Sequence, residues 1–154
     1  MTTEVWRVQG TVLALALRPV KGHTVTSQNT IGMSPESGVI GDHGTSQRRQ
    51  VTLLDEAAWN AACAEIGVEM DWTTRRSNVL VSNLDLQALV GSQIHLGSAL
   101  VEIIGEVVPC HVMDAAKEGL KHALKPEWRG GVYGRIIRKG QVKVGDKITV
   151  HSSQ

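Results

Sequence analysis

TRRSNVLVSNLDLQALVGSQIHLGSALVEIIGEVVPC, residues 74–110, decides how this chain folds. Within it 78–82, 93–96 and 99–104 read as short strands rich in Val, Ile and Leu, parted by Gly91 and by Gly97-Ser98. Residues 85–89 offer one helical turn at most. Short strands joined by tight glycine turns suit antiparallel pairing, because a parallel pair needs a long crossover between its strands. The ends of the stretch have a different character. Arg75, Arg76 and Asn78 open it, and Pro109-Cys110 closes it. A planar cation, an amide and a soft nucleophile are poor core material. They suit a phosphorylated, sulfur-bearing or metal-bearing ligand.

Upstream, residues 5–18 are rich in β-formers, broken at Gly10 and stopped by Pro19, which predicts one long bent strand or two short ones. Residues 23–30 suggest a second strand, and 31–46, dense in Gly, Ser and Pro, an irregular loop. Residues 49–54 (RQVTLL) read as a buried strand. Asp55 then caps a helix over EAAWNAACAEI that Gly67 ends. Cys63 lies on or beside its apolar stripe and reads as a small buried hydrophobe. Downstream, 114–124 has helical spacing, weakened at Gly119 by about 1 kcal/mol relative to Ala. Residues 128–131 form a loop, 132–138 and 141–144 a hairpin about Lys139-Gly140, and 147–150 a last strand. No βαβ rhythm repeats. The expectation is one domain over 1–154, mainly β, a mostly antiparallel β-barrel with two or three peripheral helices.

Composition narrows the function classes. A formal net charge of +1 and only five Trp and Tyr residues with no Phe give no basis for a nucleic-acid partner. The longest early apolar run, 12–17, is too short for a signal core or a membrane span, so a cytoplasmic chain and no membrane partner are expected. Cys63 and Cys110 lack CxxC spacing and read as free thiols.

Cys110 is the leading chemical candidate. It follows a proline that fixes the local backbone and sits four residues before a predicted helix start. A thiolate there could carry a persulfide, attack an electrophile or ligate a soft metal. Arg75 and Arg76 could fork onto phosphate or carboxylate oxygens, and Asn78 could face a heterocycle. Solvated arginines paired with local acids are the plain alternative, and Arg48, Arg49 and Arg129 carry weaker signals. His43 stands beside Asp42 in GVIGDHG, 38–44, where a structural turn competes with a ligand contact. The six histidines show no HExxH spacing, and no GxSxG elbow occurs.

TRRSNVLVSNLDLQALVGSQIHLGSALVEIIGEVVPC, then GLKHAL at 119–124 and GGVYGRIIRKGQVKVGDKI at 130–148, resembles the MOSC domain, named for the C-terminal domain of molybdenum-cofactor sulfurases. GVIGDHG and RQVTLL extend the likeness over about residues 8–150. The resemblance implies a β-barrel with an essential cysteine, Cys110. In relatives that cysteine ligates molybdenum and N-hydroxylated compounds are reduced, or the domain receives and hands on sulfur. The family's pterin-phosphate contacts would fall on Arg76 and Asn78, with Arg75 a second candidate and His43 in the Gly-Asp-His segment. The implied cofactor is a molybdopterin-type molybdenum cofactor, and the small-molecule partner is the pterin or an N-hydroxylated substrate. The chain shows no aminotransferase-like segment with a pyridoxal phosphate lysine, so a desulfurase would be a separate protein, as would any electron donor. A molybdenum-dependent reductase, a persulfide carrier and a non-catalytic binding module all remain open at this point.

Overall fold

A computed structural model describes residues 4–20, 25–43 and 46–153. The strands are β1 (Glu4–Leu17), β2 (Thr26–Gln28), β3 (Thr30–Ser34), β4 (Gly38–Val39), β5 (Val51–Asp55), β6 (Val79–Ser82), β7 (Gln93–Leu96), β8 (Ala99–Glu106), β9 (Val132–Arg138), β10 (Gly140–Lys143) and β11 (Lys147–Ser153). The helices are α1 (Glu56–Glu65), α2 (His111–Ala116) and α3 (Leu120–Ala123), with 3₁₀ turns at Trp72–Arg75, Gln87–Leu89 and Pro126–Trp128.

Seven strands close into a barrel in the order β11-β7-β8-β9-β5-β6-β1, sealed by pairing of β1 with β11, and β2 extends it beside β1. Closure removes the unpaired edges that an open sheet would expose. β1 is a single strand, as one of the two sequence readings had it. Register shifts between Val8 and Gly10 and between Val12 and Ala14 bend it, so its first half pairs with β11 and its second with β6 and β2. The barrel is mostly antiparallel. The exception is β5 beside β6, which run parallel with α1 in the crossover between them.

The interior holds Val12, Leu15, Leu53, Val79, Val81, Ile94, Leu96, Val101, Ile103, Val132, Ile136 and Ile148. A second cluster lies outside the barrel wall. Leu54 and Leu80 face outward there and are covered by Trp59, Ala62 and Cys63 of α1, by Leu120 and Ala123 of α3, and by Met113 and Leu124. Burial on both faces fits the reading of β5 as a buried strand, with Val51 to Leu54 all buried. Asp55 caps α1 as expected, its Oδ2 accepting from the Ala58 amide at 3.1 Å. Among the described residues no helix is long and apolar enough to cross a membrane.

Three sequence expectations are corrected. Segments 132–138 and 141–144 do not form a hairpin. β8 runs along one edge of β9, β5 holds the other only at Val132–Gly134, and β10 leaves the barrel to pair with β3 in a separate three-stranded sheet with β4. For the same reason 31–46 is not wholly irregular. The single helix over 114–124 is two short ones: the chain has already turned helical at His111, leaves the helix at the extended Lys117, and re-enters one after Gly119 at φ +90°. Of the strand expected over 23–30, residues 26–28 and 30 are extended, whereas 23–24 lie outside the described residues.

Gly131 and Gly67 separate backbone strain from crowding. Both have positive φ, +93° and +70°, but a Cβ at Gly131 would overlap the Leu53 carbonyl oxygen, whereas one at Gly67 meets nothing within 4 Å. Gly67→Ala is expected to cost about 1 kcal/mol, the left-handed penalty alone. Gly131→Ala is expected to cost at least about 3 kcal/mol, read as a lower denaturation midpoint in urea.

Candidate functional site

The 3₁₀ turn Trp72–Arg75 begins at Asp71, whose Oδ1 accepts from the Thr73 amide at 2.9 Å and the Thr73 hydroxyl at 2.6 Å. These bonds hold the Asp71 carboxyl below its usual pKa. Arg76 ends the turn in the left-handed region at φ +65°. That reversal sends consecutive side chains to different neighbours, which the sequence alone could not divide.

Arg75 goes inward and is only 8% exposed. Its Nε donates to the Gly130 carbonyl at 3.0 Å and a terminal nitrogen donates to the Val107 carbonyl at 2.8 Å. One side chain therefore ties the turn before β6 to the segment leading into Pro109-Cys110 and to the loop entering β9. Burial pushes the Arg75 pKa down; negative charge at Cys110 opposes this, the Arg49 cation adds to it, and Glu106 opposes it weakly. None of the ion pairs among the described residues includes Arg75. A buried cation with no carboxylate partner leaves positive potential in its surroundings.

Asn78 is 1% exposed and is committed to the barrel. Its Oδ1 accepts from the Thr52 amide and hydroxyl, both at 3.1 Å, and its Nδ2 donates to the Ala16 carbonyl at 3.3 Å. It thus joins β5, β6 and β1 at the parallel pair. Its side chain is not among those lining the cavity at Cys110, whereas its partner Thr52 is.

Cys110 is exposed and occupies the N-cap position of α2 in extended conformation, its carbonyl accepting from the Met113 amide at 3.0 Å. It lines a cavity of about 230 Å³ with Arg18, Arg49, Arg75, Arg76, Thr52, Ser77, Val107, Val108, Val112 and Met113. Four arginines and no carboxylate face this space. Larger hollows lie elsewhere, but they bring no accessible thiol to a cluster of cations. The one of about 600 Å³ beside the start of α1 presents Asp55, Asp85 and Glu127 with Arg129. The one of about 550 Å³ presents Cys63, which is buried, and that burial pushes its thiol pKa up despite a hydrogen bond with the Met70 backbone.

Two of the four arginines carried little or no sequence signal. Arg18 is oriented by Asp42, whose carboxylate is fully buried and accepts from the Arg18 amide at 2.6 Å, from Nε at 3.2 Å and from a terminal nitrogen at 2.9 Å. In the Gly-Asp-His segment it is therefore Asp42 that serves the site. His43 is exposed, its amide donating to the Arg18 carbonyl at 2.6 Å, and it does not line the cavity. Arg49 lies over the Tyr133 ring, 5.3 Å from its centroid, with Arg48 at 6.0 Å. The Arg-Asp spacing of 24 residues and the Arg-Tyr spacing of 84 follow from barrel topology, so no local pattern could reveal them.

The model of the MOSC domain matches residues 40–149, most of the chain. The chain belongs to the MOSC domain family. Solved structures share the fold over 92% to 100% of this chain. The YuaD protein of Bacillus subtilis superposes with a TM-score of 0.77 at 22% identity, covering 100% of both chains. YiiM of Geobacillus stearothermophilus gives 0.75 at 13% identity over 92% of this chain and 74% of that one. YiiM of Escherichia coli gives 0.68 at 15% identity over 96% and 70%. At these identities the likeness is one of fold. No curated protein sequence matches this MOSC chain.

Replacing Asn78 by Leu keeps its bulk but strands the Thr52 amide and the Ala16 carbonyl. The variant is expected to lose about 2 kcal/mol of stability, seen as a lower midpoint in urea with an unchanged slope.

Proposed function

We propose that this MOSC-domain protein binds a molybdopterin-type cofactor at the Cys110 cavity, with Cys110 as the thiolate ligand of molybdenum, and acts in the reduction of N-hydroxylated compounds. The observation that carries this reading is Arg75, a cation held inside the protein beside an exposed thiol and in no ion pair among the described residues. An anionic, thiophilic group would supply the missing negative charge, and the donor set fits one. At about 230 Å³ the cavity is smaller than the roughly 300–1,000 Å³ typical of whole-ligand pockets, so it would hold one end of the cofactor.

The roles of the chain's own residues follow from their contacts. Arg76, Arg49 and Arg18 would hold anionic oxygens, and Asp42 and the Tyr133 ring orient two of them. Arg75 fixes the segment that presents Cys110 and keeps the cavity floor positive. Asn78 acts from behind by setting Thr52, rather than by touching the ligand. Bound molybdenum would supply the electron transfer that cleaves the N–O bond. A separate electron-donor protein would reduce it again.

A second reading, in which Cys110 carries sulfur as a persulfide received from a separate desulfurase, is favoured by one further observation. Val108 and Val112, on either side of Cys110, are 61% and 43% exposed, so the thiol stands on an open rim that a donor can approach.

Elemental analysis separates the two. Protein made in a cofactor-competent host is expected to carry stoichiometric molybdenum, and the Cys110→Ser variant, folded normally, to carry none. Molybdenum-free protein from that host would overturn the cofactor reading.

A further inference from the structure

We infer that the Cys110 cavity accepts a small sulfane-bearing oxoanion, of which thiosulfate is the simplest, and takes its outer sulfur onto Cys110. The inference rests on the second reading above, in which Cys110 carries sulfur, and names the chemical class of a donor.

Charge and size both point to it. Arg18, Arg49, Arg75 and Arg76 face the cavity and no lining residue is acidic. Asp42 offsets Arg18, and Glu106 acts on Arg75 from outside the lining. Even with Cys110 as thiolate, positive charge is in excess. That balance favours an anionic ligand, and about 230 Å³ has room for a small tetrahedral oxoanion beside the thiol.

The arginines also address the obstacle to the chemistry. A thiolate attacking a dianion brings like charges together, and this repulsion is what fixed cations in a partly enclosed site relieve. Cys110 Sγ attacks the outer sulfur of thiosulfate and an Sγ–S bond forms. The S–S bond of thiosulfate breaks, its electron pair departs with sulfite, and the terminal sulfur of the new persulfide keeps the remaining negative charge. No outside oxidant or reductant enters this step. An acceptor nucleophile, cyanide in the assay, then takes the outer sulfur as thiocyanate and regenerates the thiolate.

The test uses the intact protein with thiosulfate as the sole sulfur source. Sulfite should appear, and the mass of the protein should rise by one sulfur located on Cys110. Cyanide should turn this into steady thiocyanate production. Cys110→Ser should abolish all three signals. Arg49→Met removes an exposed cation whose side chain stacks on Tyr133, while its backbone bonds with Ser46 do not depend on the side chain. It is expected to raise the KM for thiosulfate about tenfold. Added sulfate should compete in the native protein and much less in that variant. Sulfite release no greater than in Cys110→Ser would overturn the inference. If Cys110 is loaded by a pyridoxal phosphate desulfurase and not by thiosulfate, the oxoanion donor is excluded while the carrier reading survives.

Discussion

The Arg75 guanidinium, buried between the carbonyls of Gly130 and Val107, is the contact on which the candidate site depends. Three segments far apart in sequence meet there: the turn before β6, the exit from β8 that carries Cys110, and the entry to β9. Gly130 admits the guanidinium, since a Cβ at that position would stand 3.0 Å from both the Arg75 terminal nitrogen and the Val107 carbonyl oxygen. Two of the guanidinium's five N–H groups donate to these carbonyls, and among the described residues no carboxylate forms an ion pair with it. The same side chain therefore gives the site both its shape and its sign.

Around this centre each cation is held differently. Arg18 is fixed by a buried carboxylate, Arg49 rests on an aromatic face, and Arg76 projects from a left-handed residue at the end of a turn. The thiol is held by backbone geometry, after a proline and at the start of α2. The barrel supplies the rigidity behind these groups. Asn78 and Thr52 lock the parallel pair β5–β6 to β1, and Thr52 forms part of the cavity wall. A cation cluster facing a nucleophile is what unites the molybdenum and persulfide readings, because either ligand brings negative charge to sulfur.

Much of this was legible in the sequence. The glycine-parted short strands of 74–110 implied an antiparallel barrel, Asp55 and Gly67 bounded α1, and Pro109-Cys110 marked the thiol. The division of labour within Arg75-Arg76-Ser77-Asn78 was not legible, because it turns on the sign of φ at Arg76. Arg18 escaped notice, and Arg49 carried only a weak signal, for another reason. An arginine reads as solvated until the buried Asp42 and Tyr133 are brought to it from 24 and 84 residues away. The supposed hairpin failed on a non-local fact too, since β10 pairs with β3, far upstream in the chain, and not with its neighbour β9.

Positive potential at Cys110 is the claim most directly measurable. The rates at which Cys110 reacts with iodoacetate, an anion, and iodoacetamide, its neutral counterpart, should be taken as a ratio and compared with the same ratio for a free thiol. The account predicts that the protein shifts this ratio toward the anion, by about tenfold at low salt, and that the shift fades as ionic strength rises. A ratio equal to that of the free thiol and indifferent to salt would contradict it.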